Sequence, residues 1–462
     1  MNLMRKIPSK WLVVIAVLLG TFTVILNNSM LNPTLPNFMR LFDADAVTVS
    51  WLLTIYMVAT GMTMPLTGYL GDRFGKKRIY LLGLAVFMLG SVGGALAPTL
   101  EVIIFFRAVQ GMAGGLMMPI AMALIFQAFP KNERGLAVGI YGVAVMIAPA
   151  IGPTVGGIVI EFFHWPFLFI FNIPFALLGF LFSYKFLQST EQDRTLKFDY
   201  VGFILITIGI GAVLYALGQA STLALLVSTK SIVLIVVGAL FIATFIWYEL
   251  KQEQPLLDLR IFKIPTYVVS IAITSATSIA LFSGIFLIPL LLQHVYHLGE
   301  IETGLLFLPA ALVSGLFMSL GGRLLDKKGP RAVIPLGLLI LATFTLMLGF
   351  NTMSTSFFTI LLLNSLRSAG LGMSNMPATT AGMNSIPDDR VAQGSAMNNI
   401  IRQMAASFSI VLFSIYYEVR KAHLFIGDVT VENAALQAIN ESFIIAGIVI
   451  FLVFPFSFIL KK

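Results

Sequence analysis

Apolar residues run along this chain in long blocks rather than in alternation. Windows of about 20 apolar residues, the length a helix needs to cross a hydrocarbon core, recur along its whole length. They lie near 11–31, 48–69, 79–98, 100–127, 134–160, 165–187 and 199–219, then near 230–249, 266–292, 301–322, 332–350, 355–376, 392–417 and 440–460. The pattern predicts an all-α integral membrane protein with fourteen spans, because in lipid a lone segment can satisfy its backbone donors and acceptors only as a helix. The longest polar stretches, near 188–198, 249–265 and 418–439, are too short for a soluble domain. The breaks divide the chain into a six-span segment at 1–190, two inserted spans at 191–260 and a second six-span segment at 261–462.

Composition supports the same class. Charged residues are 11% of the 462 positions and hydrophobic ones 58%, where a soluble domain carries about 25% charge. The net charge of +8 could suggest a nucleic-acid partner, but its distribution speaks against one. With the N-terminus in the cytoplasm, the inside segments hold 22 Lys and Arg, against 4 outside (Arg40, Lys230, Arg420 and Lys421). That is the asymmetry the positive-inside rule demands, and it places both termini in the cytoplasm. Trp11, Trp51, Trp165 and Trp247 all fall at predicted span ends, where amphipathic rings settle. Arg5, Lys6 and Lys10 before an apolar run resemble a signal peptide. Asn27, Asn28 and Asn32 follow with no small-residue cleavage site, so the run is read as a retained first helix. Cysteine is absent, which excludes disulfides, thiolate metal sites and thiol nucleophiles. The stretch Gly71-Asp72-Arg73-Phe74-Gly75-Lys76-Lys77 fails the phosphate-loop pattern, since Leu70 and Lys77 hold its Gly and Ser/Thr positions.

One loop occurs twice. Gly68-Tyr69-Leu70-Gly71-Asp72-Arg73-Phe74-Gly75-Lys76 returns 254 residues later as Gly322-Arg323-Leu324-Leu325-Asp326-Lys327-Lys328-Gly329-Pro330. Each copy closes a span on the basic side. A repeat at half-chain distance is the mark of a two-lobed transporter in which one half rocks against the other. Gly68 lets two helices approach, Gly75 permits a tight turn, and Asp72 can cap the next helix or pair with an arginine across the lobes. A solvated turn is the plainer reading of one copy and a weaker one for two.

These residues resemble the major facilitator superfamily, and in particular its fourteen-helix drug–proton antiporters, over nearly the whole chain. Gly68 to Arg78 resembles the loop between that family's second and third helices. Arg107-Ala108-Val109-Gln110-Gly111 resembles its second motif, and Gly142 to Gly157 its antiporter motif, with Pro149, Gly152, Pro153, Gly156 and Gly157. Trp165 to Pro174, Asp199-Tyr200-Val201-Gly202, Pro255-Leu256-Leu257-Asp258 and the pair Arg402-Gln403 resemble further landmarks. The resemblance implies two six-helix lobes plus two central helices, and export by alternating access with proton antiport. It assigns coupling or gating to Asp72, Arg73, Arg107, Gln110, Pro149, Gly152, Pro153, Gly156, Gly157, Asp326 and Arg402. The glycines offer a packing face, and the prolines bend the helix; a purely structural kink is the alternative.

The first span departs from the family. Where the family carries an aspartate this chain has Asn27, followed by Asn28, Ser29 and Asn32. Asn27 cannot titrate, and all 21 acidic residues fall in loops or span margins. Arg107, Arg367 and Arg402 lie within spans and must face protein or water, at about 2.5 kcal/mol or more each if they faced lipid. Asn27, Asn28, Asn32, Tyr56, Tyr141, Gln293 and Asn398 are candidates to place hydrogen bonds around a substrate, as Asn172, Asn375 and Asn399 could; helix–helix hydrogen bonding is the alternative for each. Some of the 21 Met and 39 Phe should line an adaptable apolar cavity. His164, His294, His297 and His423 all sit at outer ends and read as surface residues. No hydrolase or metal pattern appears in the spans, so an intramembrane enzyme or a receptor is a poorer reading than a transporter. The expected partners are hydrophobic or amphiphilic small molecules, protons and membrane lipids, with no cofactor and no nucleic acid, and the protein is expected to act as a monomer. An exporter or flippase of anionic or neutral amphiphiles with weak proton coupling stays open beside drug–proton antiport.

Overall fold

The computed structural model describes residues 9–31, 34–44, 46–189, 192–219, 223–425 and 430–460, and every element among them is helical. The first segment holds α1 (Ser9–Met30), α2 (Leu35–Leu41), α3 (Ala46–Thr63), α4 (Leu66–Phe74), α5 (Lys76–Ala95), α6 (Leu100–Ala128), α7 (Arg134–Phe162), α8 (Phe167–Ile170) and α9 (Asn172–Phe186). The insertion holds α10 (Tyr200–Gln219), α11 (Leu223–Leu226) and α12 (Thr229–Glu249). The second segment holds α13 (Pro265–Leu290), α14 (Glu300–Lys328), α15 (Pro330–Met347), α16 (Phe357–Asn384), α17 (Val391–Leu424) and α18 (Val431–Val453).

Among the described residues, twelve helices are long and apolar enough to cross a membrane, and the pair α3–α4 makes a thirteenth if counted as one span bent by 56°. The bend falls at Pro65, the residue before α4; proline supplies no backbone N–H and breaks the ladder there. The predicted span near 355–376 coincides with α16, which is not among the twelve. Its sequence is small and polar, with Arg367 and Asn375 in its middle, and nearly every residue from Leu363 to Met383 is buried by neighbouring helices. Protein, not lipid, surrounds this helix, so its hydropathy is low.

The repeated loop is built alike in both copies. Gly75 (φ 93°) and Gly329 (φ 81°) are the glycines with left-handed backbone among the described residues. Each ends one helix and begins the next, α4–α5 and α14–α15. A side chain at this φ is disfavoured, which explains the glycine in each copy.

The last hairpin differs from its predicted limits. α17 runs on to Leu424 and α18 starts at Val431, so the two extend past the ends expected near 417 and 440. Glu441 is thereby ten residues inside α18 instead of at its margin. It accepts from Arg420 Nε (2.7 Å) and Nη2 (2.9 Å), Tyr416 Oη (2.7 Å) and Gln437 Nε2 (3.0 Å). The paired charges lengthen a helix that hydropathy alone would have ended.

Between elements, α7 packs along α1 in its own segment and along α14 and α16 of the other, while α17 meets α4 and α6. The inserted α10 leans on α12, on α3 and on α17, with Gly61 of α3 against Leu214 and Ile210. The insertion thus touches both segments, through α3 and through α17. On α7, Gly152 and Gly156 are where α1 comes closest: a Cβ on Gly156 would strike the Met30 backbone, and one on Gly152 would strike Ser29. A Cβ on Gly157, one residue on, would meet nothing within 4 Å among the described residues. Gly156→Ala is accordingly expected to force α1 and α7 apart and to cost about 1–3 kcal/mol, seen as a lower thermal midpoint in detergent. Gly157→Ala should leave the midpoint unchanged or raise it, as alanine is the better helix former. Equal midpoints for the two variants would contradict this packing.

Candidate functional site between the segments

The contact of α7 with α14 sets the geometry between the two segments. The helices run antiparallel, and near their basic ends they touch backbone to backbone. A Cβ on Gly322 would collide with the Gly135 carbonyl, and one on Gly139 with the Met318 carbonyl. One step further, the position for a Gly315 Cβ lies 3.3 Å from Val143. Beyond this point no described glycine of either helix meets the other. By the same antiparallel register Gly304 and Gly157 belong opposite one another's ends, and each has nothing within 4 Å among the described residues. Pro149, Pro153 and Gly157, spaced four apart on one face of α7, are all exposed. The seam is thus closed at the basic face and parted at the other, with the two helix-bending prolines in the parted half.

Polar groups fasten the closed end. Asp326, from the second copy of the repeated loop, accepts from the backbone N–H groups of Gly135 (2.8 Å) and Leu136 (2.9 Å) at the start of α7. A carboxylate at a helix N-terminus gains from both the unpaired donors and the helix dipole. Arg134 is buried beside it. Its Nη1 donates to Asp388 (3.0 Å) and Asn384 (3.2 Å) across the seam, while Nη2 and Nε hold the Phe126 and Phe129 carbonyls at 2.8 and 3.1 Å. In the first copy Asp72 pairs with Lys76 on its own segment at 2.8 Å, rather than with an arginine across the lobes. Arg73 donates to the Leu196 carbonyl, tying this loop to the stretch before α10. Gly68 faces the Gln393 side chain of α17. So the two copies of one motif do different work: Asp326 crosses the seam and Asp72 does not. A recess of about 970 Å³ opens at this basic face, lined by Lys10, Asp72, Lys76, Gln127, Asp388 and Arg390 among others.

Deeper in, the predicted polar residues separate into two groups. Asn27 and Asn28 accept from Arg107 Nη1 and Nη2 at 2.6 and 2.8 Å, Gln110 accepts at 3.0 Å, and the Leu52 carbonyl accepts from Nε at 2.9 Å. The Tyr56 ring lies 4.3 Å from the guanidinium. Five residues therefore surround one arginine, pinning α6 to α1 and α3. Tyr141 and Asn398 are placed elsewhere. Together with Thr379, Ser395, Asn399, Arg402, Met118, Met122 and Met376 they line an enclosed cavity of about 30 Å³ between the segments. Asn398 accepts from Thr274 Oγ1 at 2.8 Å, so one of its polar atoms is already engaged. Gln293 lies in a π-helical turn after α13, 3.4 Å from Thr303 Oγ1, and does not reach this cavity. Asn32 falls outside the described residues. Glu101, Glu161, His294 and His297 are exposed at helix ends.

Sequence reasoning missed Arg134, which counted only as one of the inside charges. Its signal was position: the first residue of a span beginning opposite the repeated loop. The cavity methionines Met118 and Met122, four apart on α6, were legible only as members of a methionine-rich chain.

Comparison with known proteins decides the class. The model of the Major Facilitator Superfamily matches residues 17–410. The chain belongs to this superfamily. It is 31% identical over 87% of its length to the lincomycin resistance protein LmrB of Listeria monocytogenes, covering 84% of that protein. It is 28% identical over 89% of its length to the multidrug export protein EmrB of Haemophilus influenzae, covering 81% of that one. Among solved structures, human MFSD10, described as an organic anion transporter, superposes with a TM-score of 0.71 at 14% identity, over 98% of this chain and 100% of that one. The proton:xylose symporter XylE superposes with a TM-score of 0.64 at 14% identity, over 96% and 95%. At that identity the two share its fold. The protein is a multi-span membrane transporter and not an enzyme.

The cysteine-free sequence allows the closed end to be tested with one introduced thiol. Thr379→Cys places it on the cavity wall, where an impermeant maleimide applied at the basic face should react slowly. Adding Asp326→Asn removes charge-assisted bonds of about 1.5–3 kcal/mol and should speed that reaction about tenfold or more. Adding Asp72→Asn should change the rate much less. Equal acceleration by both would contradict the asymmetry.

Proposed function

We propose that this transporter exports hydrophobic or amphiphilic small molecules across the cell membrane by alternating access, as a monomer with its basic face and both termini in the cytoplasm. The observation that carries this reading is the seam itself, tight between α7 and α14 at the basic end and parted at the opposite end. A cavity of about 30 Å³ has room for about one water, whereas a drug-sized ligand needs some 300 Å³ or more. Substrate therefore enters only when the halves part further, and a seam of glycine contacts can part along its whole length without unmaking either half. We assign residues 1–190 and 261–462 to the two moving six-helix lobes, with α4 joined to α3 and α16 crossing the membrane to complete fourteen spans. The inserted helices of 191–260 stay outside the cavity, against α3 and α17. Relatives named for lincomycin and multidrug resistance support a drug-like substrate class, and the cavity methionines suit ligands of varied shape.

Proton antiport would need a titratable carrier. Asn27 is not one, and among the described cavity residues none is acidic. Any proton exchanged for substrate passes through Asp326 or Asp72 at the basic face and Glu101, Glu161, His294 or His297 at the opposite face. Substrate addition to proteoliposomes should then move protons in the intact protein and not after these groups are neutralised. Antiport that survives their neutralisation would contradict the assignment. For export itself, liposomes holding the protein should pass hydrophobic drugs, lincomycin among them, several times faster than empty ones. Gly139→Leu, which wedges α7 from the Met318 carbonyl, should abolish that excess. Flux no faster than through empty liposomes for every drug tried would end the reading.

A further inference from the structure

Three arginines lie inside the spans, and the structure uses two of them completely. Arg107 donates to a carbonyl and to three side-chain amide oxygens, as described above. Arg367 on α16 is its counterpart. Its Nε donates to Thr345 Oγ1 (3.2 Å), its Nη1 to Asn364 Oδ1 (3.2 Å) and its Nη2 to the Ala280 carbonyl. Gly284 of α13 packs flat against the guanidinium. Each of these arginines joins three helices within one lobe.

Arg402 on α17 differs. Among the described residues no acceptor meets its guanidinium in a hydrogen bond and no carboxylate pairs with it. It is half-buried and lines the cavity between the lobes. The wall around it carries neutral donors and acceptors (Tyr141, Thr379, Asn399) and methionine thioethers (Met118, Met122, Met376), and no acidic group. A guanidinium lining a cavity with neither a counter-charge nor an acceptor beside it holds its charge uncompensated within the protein. A ligand bringing the missing charge would relieve that, through two parallel N–H bonds that match a carboxylate, sulfonate or phosphate.

We propose that Arg402 is the anion-recognition group of this cavity and that the preferred substrates are amphiphiles carrying one anionic head on an apolar body. This rests on the export reading above and adds the charge of the cargo to it. It also accounts for Asn27. With the cell interior negative, an outgoing anion moves down the electrical gradient, so its export needs no carboxylate to bring a proton in. The apolar body would lie along Met118, Met122 and Met376, whose flexible side chains can give way as the lobes part.

The test uses purified full-length protein and one dansyl fluorophore carrying, on the same chain, a carboxylate, a neutral amide or a trimethylammonium. Binding in detergent should rank carboxylate, amide, ammonium. Arg402→Gln should weaken the carboxylate probe about ten- to a hundredfold and leave the amide within about twofold, while Arg402→Lys should restore part of the loss. Wild-type protein that binds the three probes equally, prefers the ammonium or fails to bind the carboxylate overturns the proposal, as does Arg402→Gln with unchanged carboxylate affinity. Should Arg402→Gln not fold, the wild-type ranking and Arg402→Lys decide. Flux through proteoliposomes separates this proposal from the reading beneath it. Amide and ammonium probes carried without any carboxylate preference would leave export standing and remove the role of Arg402, as would flux of hydrophobic drugs with the carboxylate probe left behind; only loss of all drug flux would remove export.

Discussion

Everything in this molecule follows from the absence of water around it. A backbone group or charge facing lipid must find its partner within the protein, and that demand selects helices, buries α16 and decides where arginine can stand. Arg107 meets it by drawing Asn27, Asn28, Gln110 and the Leu52 carbonyl around its own charge. Arg367 meets it with Thr345, Asn364 and the Ala280 carbonyl. Each cluster ties together three apolar helices that would otherwise gain as much from lipid as from one another. Between the two clusters lies the seam where α7 meets α14 and α16.

That seam is made of absences. Where Gly135 meets Gly322 and Gly139 meets Met318, the backbones touch because no side chain intervenes. Contacts of this kind are short-ranged and non-directional, so they separate without leaving buried polar groups unpaired. The directional bonds of Asp326 and Arg134 lie at the basic end, where water can replace the partners they lose. At the other end of α7 the same face is exposed, at Pro149, Pro153 and Gly157. The two functions assigned to the glycines of α7 are also divided by position. Gly152 and Gly156 lock α7 to α1 within its lobe, whereas Gly135, Gly139 and Gly142 face the other lobe.

The fold was readable from hydropathy because each span must be apolar over a fixed length, and the repeated loop was readable because Gly75 and Gly329 need a backbone that other residues avoid. Span limits were misjudged where proline breaks a helix or ions pair: the break at Pro65 and the extended hairpin held by Arg420 and Glu441. The site was less legible. The structure brings Tyr141, Asn398 and Arg402 to one cavity, but nothing in a single sequence separates an asparagine that serves a neighbouring arginine from one that lines a cavity. Asn27, Asn28 and Tyr56 belong to the first kind. Nor does sequence distinguish the three arginines, whose difference lies in the partners that the tertiary structure brings to each.

Reciprocal motion of the seam is the claim on which the account depends, and distances between spin labels measure it directly. One pair, on Gly157 and Gly304, reports the parted end, where both positions have open space. A second pair, on Asn132 and Lys327, reports the fastened end, where both are exposed. The account expects two populations in lipid, one with the first distance long and the second short, the other reversed, with substrate or Asp326→Asn changing their proportions. Distances that stay fixed under every condition, or that lengthen and shorten together, would contradict it.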